Sequence, residues 1–171
     1  MAGYDGADSP RQWALAQAGL GSALHWLSNS ETGTGSLLKS VAARRAALEV
    51  LTMEDAPVDW ANAQNGIAMS LINLGTREQT AKYFAEVEDA LTQSLKVFTR
   101  EKQPLQWAFG QNNLGDAYWN RASLGGGKPD YETAKRHFEL AKQGFSESGY
   151  TAPIALTDKK IELVDKAIAD Q

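Results

Sequence analysis

Apolar residues return along this chain at helical spacing. Trp60, Ile67, Leu71 and Leu74 follow one another at separations of seven, four and three, and Trp107, Leu114 and Tyr118 repeat the first two. One face of an α-helix collects such positions, whereas a strand would need strict alternation. A second helix follows each of these, with Val87, Leu91, Ser94, Leu95 and Phe98 on one face, then Ala134, Phe138, Ala141 and Phe145. Its first copy, Ser40, Val41, Arg44, Ala47, Leu48 and Leu51, is less apolar. An end unit has one face without a neighbour, so polar residues are expected there. The pattern predicts helices over 10–28, 35–53, 57–74, 78–99, 104–122, 130–147 and 153–169.

The helices fall into a repeat. Pro10-Arg-Gln-Trp-Ala, Pro57-Val-Asp-Trp-Ala and Pro104-Leu-Gln-Trp-Ala start at two equal spacings of 47 residues, and a weaker start lies at Pro153. A period of this size marks a solenoid of supersecondary units, each covering the next. Proline suits the first helical turn, where its missing N–H leaves no bond unmade. Ser9 is expected to cap the first helix, and Gly75 and Gly125–Gly127 to let the chain leave theirs. Gly21, Ala68 and Gly115 share one register position, with Ala23, Ser70 and Ala117 two residues on. Glycine inside a helix costs about 1 kcal/mol relative to alanine, so a close helix contact is expected at that position.

These residues resemble the tetratricopeptide repeat family. The clearest copy is Leu114, Gly115 and Tyr118 followed by Ala134, Phe138 and Ala141, matching the family's L-G-x-x-Y and A-x-x-x-F-x-x-A pattern. The second carries Ile67, Ala68, Leu71, Val87, Leu91 and Ser94 there, and the first Leu20, Gly21, Leu24, Ser40, Arg44 and Ala47. The unit is longer than the family's usual one and is similar to a bacterial variety reading P-x-x-W-A-x-x-Q-N-N-L-G. The resemblance implies an all-α, right-handed superhelical array of antiparallel helix pairs. Its expected divisions are an N-terminal end at 1–9, three repeats within 10–152 (10–56, 57–103 and 104–152), and a closing helix at 153–171.

Composition narrows the function. Seventeen Lys+Arg against 21 Asp+Glu give a net charge of −4, which offers no global attraction to nucleic acid or anionic membranes. No stretch approaches the apolar length of a membrane span and no signal segment opens the chain, so a cytoplasmic location is expected. The absence of cysteine removes disulfides, thiolate metal sites and cysteine catalysis.

The remaining chemistry is sparse. His25 and His137 sit in different repeats and belong to no metal-ligand motif, so packing roles and no metal are expected. Gly125-Gly-Gly-Lys-Pro-Asp lacks the spacing of a phosphate loop and follows a helix, so it is expected to be an inter-helix turn. Glu86, Glu88 and Asp89 have the setting of a solvated helix face. No catalytic group and no cofactor are expected, and the protein is read as a non-catalytic interaction module.

The resemblance implies a concave groove lined by the first helix of each pair, where the family mostly binds peptides or protein surfaces. The register carries Ala18, Ser22, Asn65, Met69, Asn112, Asp116 and Trp119 there, with Asn113 beside them. Of these, Asn65, Met69, Asn112, Asn113, Asp116 and Trp119 are the expected contacts to a protein or peptide. Trp13, Trp60 and Trp107 recur with the unit and are expected in its packing. One subclass grips terminal carboxylates through groove cations, but at the matching places this chain offers Ala18, Gly19, Ser22, Asn65, Gly66 and Met69 and no Lys or Arg, so such a ligand is not expected. Lys39, Arg44 and Arg45 cluster on the second helix as a basic face. Self-association through the ends of the array, or service as a regulatory domain of a larger protein, is the alternative role.

Overall fold

The protein's computed structural model describes residues 9–171. Of the expected N-terminal end at 1–9, residues 1–8 lie outside them. The chain forms α1 (Pro10–Ser28), α2 (Gly35–Leu48), α3 (Pro57–Glu78), α4 (Phe84–Val97), α5 (Pro104–Arg121), α6 (Lys128–Glu147) and α7 (Ile154–Ala169). Antiparallel pairs α1/α2, α3/α4 and α5/α6 stack in sequence order as an all-α solenoid, and α7 closes the array against α6. α2 also packs on α3 and α4 on α5, while α1, α3 and α5 touch in succession as one row.

The repeated start has a repeated local cause. Pro10, Pro57 and Pro104 each occupy the first helical turn. Three residues on, the Trp13, Trp60 and Trp107 amides donate to the carbonyls of Ser9, Ala56 and Gln103 at 3.1, 2.8 and 2.9 Å. The backbone closes each turn by itself, and the Ser9 hydroxyl makes no capping bond. The three indoles then pack at unit boundaries, Trp13 and Trp60 around Ala14, Ala47 and Leu51, and Trp107 around Ala108, Ala141 and Phe145.

Helix ends differ from the expected ones where side chains intervene. α3 continues through Gly75 to Glu78, and the turn falls at Gln79, a left-handed residue with φ 51°. The Gln79 Nε2 donates to the Thr76 carbonyl at 2.7 Å and holds that conformation. Gly75 instead permits a close approach, because a Cβ there would lie 3.0 Å from the Thr80 carbonyl oxygen. After α5, a turn over Ala122–Gly126 leaves helical geometry at Leu124 and Gly125, and Gly125 and Gly127 both lie at positive φ. This glycine-rich turn surrounds a carboxylate: Asp130 is buried and accepts from Arg121 Nε at 2.6 Å.

The small-residue register produces the close contact. A Cβ on Gly21 would lie 2.6 Å from Arg44 Cγ, and one on Gly115 would lie 2.5 Å from Phe138 Cδ1. Ile67, Leu71, Leu74, Val87, Leu91 and Leu114 form the central core. At the N-terminal end the uncovered face belongs to α1: Leu20 and Leu27 are 48% and 51% exposed, against 3% and 0% for their counterparts Ile67 and Leu74. The expectation of polar residues on an uncovered α2 face is corrected here. α2 lies between α1 and α3, so Ser40 and Arg44 are buried.

Candidate functional site

Along the α1–α3–α5 row, the clefts are shallow, with amide and carboxylate groups set in a largely apolar lining. A recess of about 90 Å³ is lined by His25 of α1, Met69 and Asn73 of α3, and Asn113 and Asp116 of α5. It shares Ile72, Asn73 and Asp116 with a larger cleft of about 370 Å³ between α3 and α5, which reaches Trp119 and Asn120. Met69, Asn113, Asp116 and Trp119 therefore line one continuous band.

Hydrogen bonds organise this band from within. Asn113 Nδ2 donates to Asn65 Oδ1 at 2.8 Å, joining adjacent repeats. Asn112 Nδ2 donates to Asp116 Oδ2 at 3.2 Å. Lys160 of α7 reaches back to both Asp116 oxygens at 2.6 and 2.8 Å and to Asn112 Oδ1 at 3.3 Å. Burial pushes the Asp116 carboxyl up from its ordinary value, and the Lys160 ammonium opposes that shift. Trp119 is half-buried, with its edge toward Phe138 at a centroid distance of 6.1 Å. The closing helix thus supplies a cation to this band, a contribution invisible in a register drawn from the first helices.

Deeper between α1, α2 and α3 lies a polar cluster. Arg44 Nη1 donates to the Gly21 carbonyl at 2.8 Å and to Ser40 Oγ, and Nη2 donates to Ser22 Oγ at 3.3 Å. Ser40 also donates to the Gly21 carbonyl at 2.7 Å, and the Ser70 hydroxyl, 3.1 Å from the Gly66 carbonyl and 2.9 Å from Ser40 Oγ, donates its one proton to one of these two acceptors. His25 Nδ1 meets Ser70 Oγ at 3.1 Å. Burial lowers the Arg44 guanidinium to about 10, leaving it charged at neutral pH. Arg44 consequently does not share a surface with Lys39 and Arg45, and Arg45 pairs with Glu86 across the repeat boundary.

Glu86, Glu88, Asp89 and His137 are committed to packing and pairing. Glu88 accepts from the Tyr118 hydroxyl and Asp89 accepts from Gln93 Nε2 at 3.2 Å, so Glu86, Glu88 and Asp89 turn to three different partners. His137 donates to Gln111 Oε1 at 2.7 Å, taking the Nδ1-protonated tautomer that this carbonyl requires, and stacks on Tyr118. Among the described residues, no three or more His, Cys, Asp or Glu residues gather as metal ligands, and no helix is long and apolar enough to cross a membrane. No protein-family model, curated protein or solved structure matches the chain. The architecture is that of an all-α helical-repeat solenoid.

Both histidines bury their neutral form. Burial first, then Arg44 and Arg77, lowers His25, and burial, then Arg136, lowers His137 to about 4 from 6.5. Between those values the unfolded chain binds the proton and the folded one resists it, so stability rises with pH through this window and falls as pH drops. Urea midpoints should therefore decline as pH falls from about 6.5 toward about 4, with a smaller decline in His137→Gln. An equal decline in that variant would remove His137 as a cause.

Proposed function

We propose that the protein is a tetratricopeptide-type array of 47-residue units, 10–56, 57–103 and 104–152 with a closing helix at 153–171, that binds a protein or peptide segment along the α1–α3–α5 row. Asn65, Met69, Asn112, Asn113, Asp116 and Trp119 are the proposed contacts. The carrying observation is the band of joined clefts, in which an apolar side chain lies among amide and carboxylate groups. Met69 adapts its shape to an apolar residue, while the amides donate to and accept from a peptide backbone. Asn112 and Asp116, held by Lys160, form a prearranged polar edge, and Trp119 supplies a flat apolar wall fixed by Phe138.

Affinity capture with the purified array, followed by calorimetry of the captured partner, tests this reading. Met69→Glu places a charge in the band without removing a core side chain and should weaken binding about tenfold or more while circular dichroism stays unchanged. Unchanged affinity in the folded variant would move the site off this row.

A second reading is favoured by the α1 face, where Leu20, Trp26 and Leu27 are 48%, 68% and 51% exposed. Large apolar side chains exposed on one end helix suit self-association. Sedimentation of the array with and without Leu27→Glu distinguishes the two: self-association predicts a larger species that the substitution returns to monomer.

A further inference from the structure

Arg44 stands where the other repeats place core side chains. Its counterparts at the 47-residue period, Leu91 and Phe138, are both 0% exposed, and Arg44 itself is 6% exposed. Two glycines make its path. Gly21 admits the Cγ, and a Cβ on Gly66 would lie 2.7 Å from Cζ and 2.8 Å from Cδ, with Nε closer still. The side chain thus passes from α2 between α1 and α3 to the floor of a cleft of about 180 Å³, walled by Leu15, Ala18 and Ser22 on one side and Asn62 and Ala63 on the other.

The charge at this floor has neutral acceptors and no anion. Among the described residues, Arg44 enters none of the ion pairs. Its bonds use Nη1 fully and Nη2 once, at a long 3.3 Å to Ser22. The Nε has no acceptor, and the buried partnerless side-chain polar atoms among the described residues are Ser94 Oγ and Gln103 Oε1. Arg44 lines the cleft, and Nε and the second Nη2 proton are the guanidinium donors left without a protein acceptor. A buried guanidinium without an anion is costly, and the Nε–Nη2 edge presents two parallel donors at the spacing of the two oxygens of a carboxylate. Asp59 borders the same cleft and pairs with Arg11 at 3.5 Å rather than with Arg44.

We propose that the α1/α3 cleft is an anion subsite in which Arg44 receives the side-chain carboxylate of an acidic residue in the bound segment. The inference rests on the reading of the α1–α3–α5 row as the binding surface and names the chemistry of its N-terminal part. It also reverses the expectation that this groove has no cation: the cation arrives from the second helix through a gap that two glycines leave open.

The test is an NMR titration of the full chain with N-acetyl-glutamate amide, observing the Arg44 Nε–H and the backbone amides of Ser22 and Ala63. A saturable shift of these signals is expected, at least about tenfold tighter than with N-acetyl-glutamine amide, which keeps the shape and removes the charge. Arg44→Met leaves the Ser40 and Ser70 hydroxyls with their acceptors, so the folded variant should lose the amide shifts. Equal shifts with the glutamine probe, no saturable shift in the parent chain, or retained shifts in Arg44→Met would each overturn the proposal. Tighter binding of N-acetyl-alanine, which carries its carboxylate at the chain end, would overturn the side-chain assignment. The outcome is separable from that of the row as a whole, which is read from Met69→Glu and the captured partner.

Discussion

Leu114→Ala should lower the stability of the array by roughly 2–5 kcal/mol, through lost apolar burial together with an incompletely collapsed cavity. Leu114 is 6% exposed and belongs to the central core with Ile67, Leu71 and Leu91. It stands beside Gly115, whose missing side chain already brings the Phe138 ring against the α5 backbone. The helices are therefore held at contact distance and have little room to close on a smaller residue. Urea unfolding should show a clear fall in midpoint with little change in slope, and an unchanged midpoint would reject the core register. The same change at the equivalent Leu20 should cost much less, because that side chain is 48% exposed. The contrast between the two positions tests coverage by a neighbouring repeat, since their sequence settings are alike.

Gly66→Ala should destabilise by about 1–3 kcal/mol in the parent chain, because an added Cβ meets the Arg44 guanidinium stem inside a filled space. Displacing the stem also strains its bonds to the Gly21 carbonyl and Ser40. In an Arg44→Ala background that obstacle is gone, and the same substitution should stabilise by up to about 1 kcal/mol, the ordinary helix preference of alanine over glycine. The sign change between backgrounds is the expected result of a double-mutant cycle. Equal effects in both would show that Gly66 is required for some reason other than the passage of Arg44.

The candidate site was partly legible beforehand. The register locates Met69, Asn113, Asp116 and Trp119, and they line adjoining clefts, because every first helix repeats the same geometry. The Lys160 ammonium on Asp116 was not legible, since α7 has no equal spacing to tie it to α5. The buried course of Arg44 had a sequence signal: it holds the position of Leu91 and Phe138, with Gly21 and Gly66 at sites of first-helix contact. Its charge instead suggested an exposed basic face, and burial between three helices overrides that local preference.

The sequence by itself determined the number of helices, the proline-led starts of α1, α3 and α5 and their 47-residue spacing, because each follows from local backbone preference and the 3.6-residue period. It determined the small-residue helix contacts as well, since glycine is costly inside a helix unless close packing requires it. Only the tertiary structure decided which faces are covered. Leu20 and Ile67 hold the same register position, yet Ile67 is 3% exposed between α2 and its own pair while Leu20, at the end of the array, is 48% exposed. Periodicity says which side of a helix is apolar, whereas burial depends on a neighbour dozens of residues away. That non-local packing enclosed Arg44, left the α1 face open and brought Lys160 to Asp116.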